Sequence, residues 1–194
     1  KSDNKIKNKM SFNYNFLKRK LFYKDFSIEN LEKKDIEKLR IWRNTQRKVL
    51  RQNKILSKTK QKNYFDNYIS KQSKKKFPEV ILFAFKKKGE LVGYGGFVYI
   101  SWENKRAELS YLLKTDLTLN QKLYRFYSVK YFHLAKKFAF KKMKFNRLFT
   151  ETFSYRKNQI KILEEVGFKR EGILRKHNIK NKKPVNVIVH SIVK

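Results

Sequence analysis

Between Val80 and Leu113 the chain offers three strand-like runs in succession, and only after them does its apolar period change to that of a helix. Val80 to Phe85 is nearly all apolar, which suits a central strand. Lys88-Gly89-Glu90 reads as a hairpin turn, and Leu91 to Ile100 as the returning strand. Three of the six glycines, Gly93, Gly95 and Gly96, fall in that return. Glycine weakens a strand, so its use there predicts a bulge or close approach by another group. Arg106 to Leu113 follows as a third strand after a turn at Glu103-Asn104. Gln121 to Phe140 then reads as one long helix, with Leu123, Phe126, Tyr127, Lys130, Leu134 and Phe138 at three- and four-residue steps. A strand at Arg147 to Thr152 lies beside the last antiparallel one. The sheet is therefore expected to be mixed and mostly antiparallel.

The flanking segments complete the pattern. Leu21 to Ile28 is a candidate first strand. A helix starts at Asn30 or Asp35 with Ile36, Leu39 and Trp42 inward. A second spans Lys54 to Lys76, capped by Ser57 or Thr59, with Tyr64, Phe65, Tyr68 and Ile69 as its inner face. Lys157 to Glu165 forms a short helix stopped by Gly167. Phe168 to Leu174 and Val185 to Val193 form a last hairpin around Asn181 to Pro184. The expectation is an α/β fold of about six to seven strands and about four helices. It is read as one domain over residues 21–194, preceded by a weakly ordered basic lead-in over residues 1–20.

Composition narrows the function. Cysteine is absent, so disulfides, thiolate metal sites and a cysteine nucleophile are excluded. His133, His177 and His190 show no ligand spacing, so no metal is expected. No apolar run reaches the length of a membrane span. The basic start, Lys1 to Lys9, lacks a following apolar stretch, so a cytoplasmic protein is expected. The net charge is +34, with 50 Lys and Arg against 16 Asp and Glu. A nucleic-acid partner would use such charge. The basic residues are spread along the chain, however, and Lys, Asn, Ile and Phe share AT-rich codons, so codon bias is the favoured cause. Against that bias, Arg40, Arg43, Arg47 and Arg51 fall at helical steps, four of eleven arginines in twelve residues. Arginine gives phosphate or carboxylate a bidentate fork that lysine cannot copy.

The segments Gly93–Gly96, Ala107-Glu108-Leu109-Ser110-Tyr111 and Leu163-Glu164-Glu165-Val166-Gly167-Phe168, in this order of elements, resemble the GNAT superfamily of acyl-CoA-dependent N-acyltransferases over about residues 21–194. Trp42-Arg43-Asn44, Leu50-Arg51-Gln52-Asn53 and Gly172-Ile173-Leu174-Arg175-Lys176-His177 are similar to bacterial acetyltransferases acting on nucleotide-linked amino sugars of the pseudaminic acid route. The resemblance implies a mixed sheet with a splayed strand pair, and acetyl-CoA as acetyl donor. The thioester arm would lie beside Leu112, Leu113 and Lys114. The pyrophosphate would meet Leu119, Asn120, Gln121, Lys122 and Leu123 at a helix N-terminus, with Arg156 nearby. The family's glycines are replaced there by Thr118-Leu119-Asn120-Gln121-Lys122, and Asn120 is expected to take a left-handed conformation in place of one of them. The family's proton-donating Tyr aligns with Leu163. The implied catalytic residues are Glu108 as a water-relayed base and Tyr111 or Tyr155 as proton donor, with a backbone N–H near Leu112 or Leu113 for the oxyanion. The acceptor would meet Trp42, Arg43, Asn44, Arg47, Arg51, Tyr94 and Gly95. The partner implied is a nucleotide-linked amino sugar or another small amine, with oligomeric state open and a homodimer included. The alternatives are acetylation of a protein N-terminus, or a degenerate module of this fold binding RNA or the ribosome.

Overall fold

A computed structural model describes residues 20–194. The lead-in predicted over residues 1–20 thus lies outside the described residues except for Lys20. Eight strands form one sheet in the order β1-β2-β3-β4-β5-β6-β8-β7. The predicted first strand is a small hairpin, β1 (Leu21–Tyr23) and β2 (Phe26–Asn30), because Lys24 turns the chain with φ of 52°. Helix α1 spans Ile36–Thr45. Helix α2 (Lys58–Tyr64) is capped by Ser57, whose hydroxyl accepts from Lys60 N, and continues through a π-helical turn at Phe65–Ile69. Then come β3 (Ile81–Lys87), β4 (Glu90–Ser101) and β5 (Arg106–Leu113). A short helix α3 (Thr115–Leu119), absent from the sequence reading, precedes α4 (Gln121–Lys137). The chain ends with β6 (Arg147–Phe153), α5 (Lys157–Glu165), β7 (Lys169–Lys180) and β8 (Lys183–Val193). The terminal hairpin is longer than predicted. Its two-residue turn, Asn181-Lys182, has positive φ at both positions, the geometry that matches strand twist.

Alternation along the central strands divides the core in two. Phe83, Phe85, Phe97, Leu109 and Leu113 pack on the α4 side with Tyr131, Phe132, Leu134 and Phe138. Ala84, Leu91, Tyr94 and Leu112 pack on the other side with Ile36, Leu39 and Trp42 of α1. The buried stripe of α4 is Tyr127, Ser128, Tyr131, Phe132, Leu134 and Ala135. Leu123 and Phe126, predicted to face inward, are each 43% exposed. They lie one step around the helix from the stripe that meets the sheet.

Two of the β4 glycines answer to packing. A Cβ on Gly95 would stand 2.2 Å from the Tyr131 hydroxyl and 2.3 Å from Ser110 O. One on Gly96 would stand 1.8 Å from Ile81 O. The predicted close approach is thus made by the protein's own backbone and by Tyr131, which donates to Ser110 O at 2.8 Å.

The Gly95→Ala variant should lose about 3 kcal/mol of stability or more through forced overpacking. Gly172→Ala, where a Cβ meets nothing within 4 Å, should change it by less than about 1 kcal/mol; denaturant unfolding of both compares them. A second expectation concerns pH. Hydrogen bonds from Arg147 and then Ser191 lower the Glu171 carboxyl to about 2. Its folded pKa lies below the unfolded value of about 4.3. The stabilisation is therefore complete above pH 5 and lost as pH falls from about 4 toward 2. The stability difference between the protein and Glu171→Gln should close over that window in acid titrations followed by circular dichroism.

Candidate active site

Strands β5 and β6 are the sheet's parallel pair, and they pair at three positions only: Arg106↔Arg147, Ala107↔Leu148 and Glu108↔Phe149. Beyond these, β5 stays laddered to β4 as far as Leu113, and β6 to β8 as far as Phe153. Each strand is held on its outer side while the inner sides diverge. The opening leads into a cavity of about 450 Å³ lined by Gln46, Leu112, Leu113, Gln121, Tyr124 and Arg156, among others. It continues into a compartment of about 180 Å³ at the point of divergence, where Arg51, Glu108, Thr150 and Glu151 meet. A third, of about 270 Å³, lies over β4 against α1 and α2, lined by Leu39, Tyr64, Phe65, Tyr94 and Gly95. Arg43 and Ser110 line both the second and the third.

A polar network stands at the fork. The Tyr111 and Tyr124 hydroxyls both reach Gln159 Oε1, at 2.6 Å and 2.5 Å. Tyr111 also bonds Ser128 Oγ at 2.9 Å, and Arg156 Nη2 donates to Tyr124 at 3.2 Å. Burial, and after it the neighbouring Tyr124, holds the Tyr111 hydroxyl well above the ordinary tyrosine range. Tyr155 stacks on Phe153, donates to Lys48 O at 2.5 Å, and is raised by burial. Glu108 is 5% exposed and held by Arg51, with Nη2–Oε1 at 2.5 Å and Nη1–Oε2 at 3.2 Å. Burial pushes its carboxyl above the ordinary value, and the Arg51 hydrogen bond opposes that shift. Arg51 also reaches Glu151 at 3.1 Å.

At the start of α4, Asn120 is extended (φ −110°, ψ 119°) and caps the helix. The left-handed conformation expected from the sequence is not adopted. Its Oδ1 accepts from Lys122 N and Leu123 N at 2.9 Å and 3.1 Å, so two of the orphan N–H groups already have a partner. Leu119 is 81% exposed. Lys114 bonds Val92 O through its backbone and stands 3.6 Å from both Glu90 and Asp116, outside the three compartments. Leu113 O accepts from Gln46 Nε2 at 2.9 Å.

On the acceptor side the predicted residues divide. Trp42 is buried in the second core and lines none of the three compartments. Asn44 clamps its own loop, bonding Leu56 N and O and Gln52 Nε2. Arg47 Nε bonds Asn44 O. Arg43 Nη1 donates to the Tyr94 hydroxyl at 2.8 Å and Nε to Gln52 Oε1 at 3.1 Å. Among the described residues no carboxylate pairs with Arg43. Sequence reasoning missed Gln159, Tyr124, Ser128 and Gln46. A usable signal was the polar pair Tyr124 and Ser128, four apart on an otherwise apolar face. Lys180 was missed too. Its buried ammonium donates to Leu50 O, Gln52 O and Asn53 Oδ1 at 2.7, 2.6 and 3.0 Å, tying the tip of the β7–β8 hairpin to the loop that carries Arg51.

Comparison with known proteins agrees with this geometry. The spermidine N-acetyltransferase of Vibrio cholerae, solved with CoA and spermine, superimposes with a TM-score of 0.74 at 14% identity, over 88% of this chain and 96% of that one. The microcin C7 self-immunity acetyltransferase MccE, solved with acetyl-CoA and AMP, gives 0.68 at 17% identity, over 89% and 94%. No curated protein sequence matches the chain significantly. The acetyltransferase (GNAT) domain family matches residues 28–189. The forked strand pair, the cavity that opens from it and this family match agree: the chain belongs to the GNAT acetyltransferases, enzymes whose acetyl donor is acetyl-CoA.

Proposed function

We propose that this acetyltransferase transfers the acetyl group of acetyl-CoA to the amine of a nucleotide-linked amino sugar. The observation that carries the acceptor is Arg43, a half-buried guanidinium without a carboxylate, standing between the point of divergence and the β4 compartment. Its Nη2 has no hydrogen-bond partner among the described residues and suits a phosphate oxygen. Electrostatics argue against a polyamine such as the one bound in the Vibrio cholerae enzyme. Both acids at the fork, Glu108 and Glu151, already share Arg51. Arg43, Arg51 and Arg156 exceed them there, so a polycation would meet net repulsion. A relative of the same fold solved with AMP supports a nucleotide-bearing acceptor.

The donor side fits a thioester arm. Leu109 to Leu113 of β5 face β6 without ladder partners, and such an edge can pair with an extended amide-bearing arm. Thr150 Oγ1 is buried without a partner beside the same opening. In this reading the N–H of Leu112 or Leu113 stabilises the oxyanion. Glu108 takes the amine proton through a water, its basicity raised by burial. The Tyr111–Tyr124 pair, or Tyr155 at the rim, returns a proton to the thiolate. Lys122, Leu123 and Arg156 remain the nearest groups for the donor's phosphates. Trp42, Asn44 and Arg47 act by fixing α1 and its loop, while Tyr94 and Gly95 form the acceptor floor.

Acetyl-CoA at about 100 times its Kd should stabilise the protein by about 2.7 kcal/mol, read as a rise in Tm. Arg43→Lys should raise the acceptor KM about tenfold, near 1.4 kcal/mol, with the acetyl-CoA shift unchanged; equal loss of both would show a structural role instead. Coenzyme A release across a panel of UDP- and TDP-linked 4-amino sugars identifies the acceptor. Absence of turnover with every member would remove the amino-sugar reading. Glu108→Gln should lower kcat by about 10²-fold. Arg51→Met removes the group that keeps Glu108 ionised. The acidic limb of its pH–rate profile should therefore move to higher pH.

A further inference from the structure

The start of α4, beside the donor cleft, carries a row of partly exposed apolar side chains, of which Phe126 rests edge-on against Phe26 and Tyr127. Leu119 is 81% exposed, and Leu123 and Phe126 are each 43% exposed. Gln121 and Tyr124, interleaved with them in sequence, line the cleft, so Leu119 and Leu123 stand next to its mouth and Phe126 one turn further along α4. Its flanks are basic. Lys130 Nζ lies 5.3 Å and Lys87 Nζ 5.9 Å from the Phe126 ring centroid, and Lys122 is exposed between Leu119 and Leu123. Residues 117–150 hold nine Lys and Arg and no Asp or Glu. Exposed apolar side chains at a cleft mouth, ringed by one sign of charge, mark an interaction site.

The phosphate end of the cleft is built sparingly. Helix N-termini hold diphosphates through free N–H groups, yet Asn120 occupies those of Lys122 and Leu123. The channel for the arm is kept, while two of the four N–H groups of the phosphate cradle are already taken. A 4′-phosphopantetheine thioester has two biological carriers. Coenzyme A adds a diphosphate and a nucleotide. A carrier protein adds one phosphodiester and an acidic helical surface. Exposed apolar side chains flanked by cations match the surface of the second.

We infer that the ridge formed by Leu119, Leu123 and Phe126, with its basic flanks, docks an acidic acyl-carrier domain whose phosphopantetheine thioester enters the same cleft as a donor additional to acetyl-CoA. This rests on the thioester-arm reading of the cleft given above. The reaction balances as before. The amine nitrogen forms a C–N bond to the acyl carbon, and the C–S bond breaks. The carrier's thiolate takes up the equivalent of the proton that the amine releases. Lys122 meets the single phosphate.

The test titrates the full chain with an acidic bacterial acyl carrier protein in two forms. One is the apo form; the other bears an acetyl-pantetheine amide that cannot be hydrolysed. The amide form should bind with a Kd of about 10 µM, and the apo form about tenfold more weakly. Affinity should fall steeply between about 50 and 200 mM salt. Phe126→Glu should weaken carrier binding at least about tenfold, while Phe126→Leu retains it; both should keep the full acetyl-CoA shift in Tm. Acetyl-CoA stabilisation without carrier binding at about 100 µM would overturn this inference and leave the proposed function standing. Failure of both ligands would remove both. Equal affinity for apo and amide forms would overturn the inference, as would equal binding of single-stranded RNA. So would a concentration-dependent dimer abolished by Phe126→Glu, since the ridge would then serve a second copy of the chain.

Discussion

Two parallel strands that stop pairing after Glu108 and Phe149 set the terms for everything else in this molecule. A sheet interrupted at its centre would ordinarily expose backbone groups and come apart. Here each strand is secured by its outer neighbour, β5 by β4 and β6 by β8. The network of Tyr111, Tyr124, Ser128 and Gln159 ties β5 to α4 and α5 beside the opening. These groups satisfy one another across β5, α4 and α5, so closing the fork would strand several buried hydroxyls. The opening is therefore a built feature of the fold, and the two cavities lined by β5 residues lie at it.

The charge imbalance looks different once partners are known. With 16 acids against 50 bases, carboxylates are scarce, and several are committed to arginine. Arg40 takes Glu37, Arg51 takes Glu108, Arg125 takes Glu165 and Arg147 takes Glu171. Each pair engages both carboxylate oxygens, a geometry that the guanidinium fork permits and an ammonium does not. This explains why arginine persists in a chain that otherwise favours lysine. It also separates Arg43, whose fork is turned to Tyr94 and Gln52, from Arg40 on the same helix.

Local signals carried most of the fold. The limits read for the third strand, Arg106–Leu113, and the short helix, Lys157–Glu165, agree with the structure, because a clear period and a defined stop bound each. The inner face of α4 was harder to read. Leu123 and Phe126 are as apolar as Tyr127 and Tyr131, and only the position of the sheet decides which pair is buried. The site was less legible for a related reason. Tyr111 and Gln159 are 48 residues apart, and Lys180 and Leu50 are 130 apart. No periodicity within a segment encodes such pairs. Asn120 shows a subtler case: the residue type suggested a replaced glycine, and the chain instead uses its side chain as a cap.

The clasp made by Lys180 has a consequence for how the proposed acceptor site can evolve. A buried ammonium satisfied by two carbonyls and an amide oxygen welds a distant β-turn to the short connection bearing the Arg51 guanidinium. Neither piece can drift in sequence or length without dragging the other. A lineage seeking a new acceptor would therefore be expected to rebuild both together, or to begin by releasing the clasp.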